Sequence, residues 1–241
     1  LRRPYQLSPN LAEAMPEVSN NGLTYTFKIK KGIKFHDDKA FPGGKGRELV
    51  AEDFVYSIKR LADPKLQGLG WWTIDGKLKG LNEWREKNTT AETVNYDEVV
   101  EGVKTIDSHT LQFTLVKPFP QFLYSLAMTF TSATAKEVVE FYGKEFLNHP
   151  VGTGPFILPE FKQTNRIEYV KNPNYREKTF PCDASEEFEK MAKEYCGKKL
   201  PLVEKVIVSI IKEDQPRWLN FQKGNLDYIG IPKDNFDAAV T

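Results

Sequence analysis

Cysteine is nearly absent from this chain: only Cys182 and Cys196 occur in 241 residues. Their placement matches none of the paired spacings of a cysteine-held zinc site, so no structural metal is expected. Histidine is nearly as scarce, with His36, His109 and His149. No Gly-x-Ser-x-Gly elbow accompanies them, which leaves nucleophilic catalysis little to start from. Long apolar runs are missing too. The longest, Phe122 to Phe130 and Val206 to Ile211, fall well short of the roughly 18 residues that cross a bilayer. An excess of one charge sign is also lacking, since 34 Lys and Arg face 33 Asp and Glu for a net charge of +1. Such a balance produces no field that would gather nucleic acid, and no nucleic-acid partner is expected. The sequence opens at Leu1-Arg2-Arg3-Pro4 without an initiator Met or an apolar signal core, and it stops at Thr241 just after an apparent helix start.

What is present suits a protein with a sizeable core. Apolar residues reach 40% and aromatics 12%, and a chain of this length should bury roughly 70–75% of its unfolded surface. In Thr24 to Lys30 the residues Tyr25, Phe27 and Ile29 share one face, a half-buried strand. Lys31-Gly32 turns the chain and Ile33 and Phe35 resume the alternation, which reads as a hairpin. A second hairpin is expected where Val103 to Ile106 meets Leu111, Phe113 and Leu115 across Asp107-Ser108-His109. Between them Phe54, Ile58 and Leu61 recur at helical spacing in Ala51 to Leu61, which Asp63-Pro64 stops. The Gly- and Trp-rich stretch Lys65 to Thr90 shows no sustained period and reads as a long loop. Short helices are predicted over Phe119 to Met128 and Ala135 to Tyr142.

From Val151 the texture changes. Phe156, Leu158 and Phe161, a turn at Gln163 to Asn165, then Ile167 and Tyr169 predict another hairpin. A charged segment, Arg176 to Lys199, interrupts it, and Val206 to Ile211 is apolar on both faces, as a central strand would be. A helix from Glu213 to Lys223 and a strand from Leu226 to Ile231 follow, the order that parallel sheets require. The fold class is therefore read as α/β, with α+β character in the first half.

Three motifs carry residue types that could do chemistry. His36-Asp37-Asp38 reads better as a polar turn than as a metal or acid/base cluster. Gly43-Gly44-Lys45-Gly46 lacks the spacing of a phosphate loop. Gly152-Thr153-Gly154 reads as a tight turn rather than an anion cradle, because no helix starts there. The two cysteines admit a geometric test. A single helix from Ser185 to Cys196 would hold its ends about 16 Å apart, and the link back to Cys182 recovers only roughly 10 Å. A Cys182–Cys196 disulfide is expected if the chain doubles back or the helix is short.

Six collinear segments carry a resemblance. They are Pro9 to Glu13, Tyr25 to Asp37, Ala51 to Arg60, Val151 to Phe156, Lys171 to Tyr175 and Gly224 to Asp227. In this order the sequence resembles the extracellular (periplasmic) solute-binding proteins of ABC transporters, the oligopeptide, dipeptide and nickel class known as family 5. The resemblance implies a periplasmic-binding-protein type II-like lobe with an added subdomain, here incomplete. Residues 1–150 would form the added subdomain, 151–232 the returning part of the lobe-one sheet, and 233–241 the start of a crossover to a second lobe. It implies a monomeric, non-enzymatic component that captures a peptide or other small solute in the periplasm and delivers it to a membrane permease, without a cofactor. The implied location is periplasmic, with an extracellular or lipid-anchored one as the alternative. Trp71 and Trp72, in a loop that the resemblance places near the cleft, and Phe130 and Thr131, between two short helices, are the candidate ligand-binding residues. Two departures stand out. Val50 occupies the helix-capping position where the family usually carries Thr or Ser, a loss of about 1 kcal/mol. The cysteine-bearing segment Arg176 to Lys199 looks like an insertion. The competing reading is a secreted hydrolase with an unrecognised cleft.

Overall fold

The computed structural model describes residues 6–66, 68–159 and 165–240. Among these residues seven strands occur: β1 (Glu17–Ser19), β2 (Thr24–Lys28), β3 (Val103–Asp107), β4 (Thr110–Thr114), β5 (Phe156–Ile157), β6 (Arg166–Lys171) and β7 (Lys205–Ser209). The α-helices are α1 (Ala51–Ala62), α2 (Leu81–Thr90), α3 (Phe122–Leu126), α4 (Lys136–Tyr142), α5 (Glu189–Tyr195), α6 (Asp214–Gln222) and α7 (Phe236–Val240). The strands form two antiparallel sheets, one ordered β1-β2-β4-β3 and the other β5-β6-β7.

Alternation builds the first sheet. Tyr25 lies opposite Phe113 and Phe27 opposite Leu111, so the apolar positions of both strands share one face. Val55, Ile58 and Leu61 of α1 join the core that this face supplies. Phe122 of α3 wedges in fully buried, its ring 5.1 Å from Tyr25 and 5.5 Å from Phe113 in edge-on contacts. At the start of α1, Val50 offers no side-chain cap, but the Asp53 carboxylate accepts the Val50 N–H at 2.9 Å. That supplies half of a capping box from the third helical position. Asp53 also takes both terminal nitrogens of Arg47, at 2.9 and 2.6 Å, and Arg47 reaches Glu137 on α4 at 2.9 Å. Burial opposes the Arg47 charge, yet the Asp53 hydrogen bonds outweigh it and hold the guanidinium firmly protonated.

Several expectations are corrected. Lys31-Gly32 does turn the chain, with Gly32 at φ 75°, but Ile33 to Phe35 do not fold back on β2. They pair with Arg47 to Leu49, through the Lys34 to Glu48 bridge and the Phe35 N–H to Arg47 O bond of 3.0 Å. The stretch Lys65 to Thr90 is not a loop throughout, because α2 fills its second half. Helix α2 hides from periodicity because its buried face is Leu81, Trp84 and Asn88, and polar bonds dock it. Trp84 donates to Asn95 O at 3.1 Å, and Arg85 donates to Ala62 O at 2.6 Å.

In the second half β5 and β6 do form a hairpin. Phe161 and most of the expected Gln163 to Asn165 turn lie outside the described residues. The apolar run at 206 is not a central strand: β7 ends its sheet and is exposed along its whole length. Leu226 to Ile231 is not a strand, and every strand pairing among the described residues is antiparallel, so the predicted parallel pairing is not made. Backbone and amide bonds join the halves. His36 N–H donates to Gly152 O at 3.0 Å, Asn172 Nδ2 to Gly154 O at 2.8 Å and Arg176 to Thr153 O at 3.2 Å. The Gly152-Thr153-Gly154 turn therefore presents carbonyls to protein donors, the opposite of an anion cradle.

Candidate functional site

An apolar groove of about 370 Å³ runs along the first sheet. Its floor is Phe27, Ile29, Leu111 and Phe113 of the sheet with Phe54 and Ile58 of α1. One wall is the segment 7–16, held beside β2 by the Lys30 N–H to Leu11 O bond of 2.9 Å and the Glu13 N–H to Lys28 O bond of 2.8 Å. The other wall runs from Leu123 to Ser132. No charged side chain lines the groove among the described residues.

The four candidate ligand residues divide by environment. Trp72 is 60% exposed and Phe130 42% exposed, and their rings meet edge-on with centroids 6.5 Å apart. A Cβ on Gly70 would lie 2.5 Å from the Phe130 ring, so a glycine there lets the 70–72 loop close on Phe130. Trp71 turns the other way, half-buried, with the Arg85 guanidinium 4.8 Å from its ring centre. Thr131 is buried and lines the groove, its hydroxyl 3.0 Å from the carbonyl oxygens of both Leu126 and Met128. The structure thus brings Trp72 and Phe130 together on the surface, and gives Trp71 and Thr131 packing partners behind them.

The charged motifs serve other ends. The His36 imidazole is buried, and burial lowers its pKa against the pull of Asp38 and Asp37. Asp37 accepts from Lys45 at 2.7 Å, from Gly46 N–H at 3.0 Å and from Asn174 at 2.9 Å, which holds its carboxyl below the usual range. Burial, joined by the 2.9 Å hydrogen bond that the Tyr142 hydroxyl donates to Asp38, pushes the phenol up to about 12. Among the described residues no group of His, Cys, Asp and Glu could hold a metal ion.

One constellation escaped sequence reasoning. Ser108 Oγ lies 3.0 Å from His109 Nδ1, and His109 Nε2 lies 3.1 Å from Glu48 Oε1. Ser108 and His109 adjoin in a turn, whereas Glu48 arrives from 61 residues away, so no local pattern could have signalled it. Ser108 is exposed, and none of the three lines the groove. The groove itself was equally hidden, since its wall at 7–16 carries no period.

Comparison with known proteins gives these features a family. Residues 6–240 match the model of the bacterial extracellular solute-binding proteins, family 5. The chain belongs to this family. The dipeptide-binding protein of Escherichia coli is 33% identical over 232 residues, which are 94% of this chain and 37% of the relative. Heme-binding protein A of Haemophilus influenzae is 30% identical over 231 residues, 94% of this chain and 36% of that one. The chain thus spans little more than a third of the length of these family 5 relatives. Among solved structures, the E. coli murein tripeptide binding protein MppA superposes with a TM-score of 0.71 at 22% identity, covering 97% of this chain and 39% of its own. That likeness establishes a shared fold.

Proposed function

We propose that this chain is part of the substrate-binding component of an ABC importer. The component captures a peptide-like solute outside the cytoplasmic membrane, in the periplasm or on the cell exterior, and delivers it to a membrane permease. The observation that carries the reading is the family match over residues 6–240, together with relatives that bind dipeptides and oligopeptides. In this reading residues 1–150 form an added subdomain, 151–232 return to the sheet of the first lobe, and 233–241 begin the crossover. The component works as a monomer, without cofactor or nucleic acid. A disulfide suits the oxidising compartment that this reading implies.

Trp72 and Phe130 are proposed as wall residues against which ligand side chains pack, with Trp71 and Thr131 fixing the backbone that presents them. Aromatic walls with few polar groups suit ligands that differ mainly in side chains. The test is native mass spectrometry of the full-length protein with a library of short peptides and, separately, with haem. Retained peptide is the expected result, and retention of haem alone or of nothing would overturn the peptide assignment. Trp72→Ala and Phe130→Ala should each weaken peptide binding roughly tenfold. Unchanged affinity in both would remove them from the wall. Calorimetry on residues 1–241 alone should give affinity weaker than micromolar, because one wall without its opposing surface cannot desolvate a peptide.

A second reading has a specific observation behind it. Ser108, His109 and Glu48 stand in the hydrogen-bonded order of a nucleophile, a base and its orienting acid. Their position on an exposed turn, away from the groove, favours a role in fixing that turn. Labelling of Ser108 by a fluorophosphonate probe, lost in Ser108→Ala, would revive the hydrolase.

A further inference from the structure

The connection from β6 to β7 contains a small closed knob. Its stem is a short antiparallel contact: Phe180 N–H donates to Lys198 O at 2.9 Å, Gly197 N–H to Phe180 O at 3.1 Å, and Leu200 N–H to Lys178 O at 2.8 Å. Just inside the stem Cys182 is bonded to Cys196, with Cα atoms 4.5 Å apart. The chain does double back, because the expected single helix is split into a 3₁₀ turn at Glu186–Phe188 and α5. Within the bonded loop Ala192 is buried, at 3% exposure, and the Tyr195 ring packs on Phe180 at 5.8 Å and under Lys198 at 4.6 Å.

These dimensions decide what holds the knob. Helix α5 has seven residues, whereas isolated helices shorter than about 12–15 residues are marginal in water. Its apolar support is one buried alanine and a few half-buried side chains, too little to order the loop against chain entropy. Both sulfur-bearing residues are exposed. The neighbouring sheet has its own fastening: five register pairs join β6 to β7, and Lys171 N–H donates to Glu204 O at 2.9 Å.

We propose that the Cys182–Cys196 bond is a thiol–disulfide exchange site that switches the fold of this knob alone. A dithiol reductant supplies the reaction. One of its thiolates attacks the sulfur of one of these two exposed residues, the Cys182–Cys196 bond breaks, and a mixed disulfide forms. The reductant's second thiolate then displaces the remaining cysteine. Two electrons and two protons end on Cys182 and Cys196 as thiols, and the reductant leaves as its own disulfide. Freeing a loop of about 15 residues returns the chain entropy that closure had removed, which corresponds to roughly a hundredfold shift toward the open loop. The β6–β7 pairing stays closed, so the change stops at the stem.

Hydrogen–deuterium exchange with mass spectrometry on the full chain tests this, comparing oxidised protein, protein in dithiothreitol, and the double variant Cys182→Ser/Cys196→Ser. Amide protection over Glu189–Tyr195 should fall roughly a hundredfold in dithiothreitol and in the variant, recover on reoxidation, and stay constant over α1 and β4. Equal protection of the knob in all three samples would overturn the switch. Loss over α1 as well would overturn its locality. Thiols that appear only after denaturation would overturn the exchange site.

Discussion

The two sheets are both antiparallel, yet they are buried to different degrees. In the first, Tyr25, Leu111 and Phe113 are 8%, 3% and 2% exposed beneath the helices. In the second, Val206, Ile207 and Val208 of β7 are 36%, 44% and 42% exposed on both faces. Every member of the main hydrophobic core lies between Tyr25 and Val151. The difference teaches that an apolar run reports how many faces a strand offers for burial and says nothing about what covers them. The first sheet carries its cover on the same stretch of chain, in α1 and α3. Stability should accordingly reside in the first 151 residues.

The sharpest way to break that contrast is to cut one side chain from each region. Phe122→Ala removes a fully buried ring that touches both Tyr25 and Phe113, and should cost about 3–5 kcal/mol. Val208→Ala removes a half-exposed side chain and should cost less than about 1 kcal/mol. Urea unfolding followed by circular dichroism measures both, and equal costs would abolish the distinction. A smaller effect is expected at the polar join of the first region. Asp53→Asn removes one of the two carboxylates on Arg47, leaving Glu137, and leaves a single neutral oxygen to serve both Arg47 and the Val50 N–H, a loss of about 1–3 kcal/mol. The Arg47 side chain is 34% exposed, so solvent screening holds the figure at the lower end. A stability unchanged by Asp53→Asn would show that packing alone fastens α1.

Elements whose burial is written in their own spacing were legible. Helix α1 shows Ile58 and Leu61 at helical intervals, and the β3–β4 hairpin shows Leu111 and Phe113 in alternation about an Asp-Ser-His turn. Helix α2 was not, because Asn88 and Trp84 dock it through hydrogen bonds that hydropathy does not register. The pairing of Ile33 to Phe35 with Arg47 to Leu49 was missed for a related reason. The turn at Gly32 was visible, but the choice of partner strand depends on contacts far along the chain. Of the candidate site, the aromatic residues were legible as types. That Trp72 meets Phe130 while Trp71 meets Arg85 follows from Gly70 closing against the Phe130 ring, a tertiary fact. The groove requires three separate segments and could not be read from any of them.

The smallest predicted effect concerns pH and belongs to the buried region. His36 is 4% exposed, and burial holds its pKa below 6.5 although Asp38 and Asp37 pull it upward. The folded protein therefore binds fewer protons at this site than the unfolded chain does once the pH drops below 6.5. Stability contributed by the neutral imidazole is complete above that pH and is lost as pH falls from there through the folded value. The neighbouring Asp37 has its pKa lowered beneath 3.8, so its own loss begins only in stronger acid and does not overlap. Melting temperature measured by calorimetry between pH 7.5 and 5.5 should fall, and His36→Gln should flatten the decline whatever its effect on stability at pH 7.5. Parallel declines in the two proteins would assign the acid sensitivity to groups outside this site.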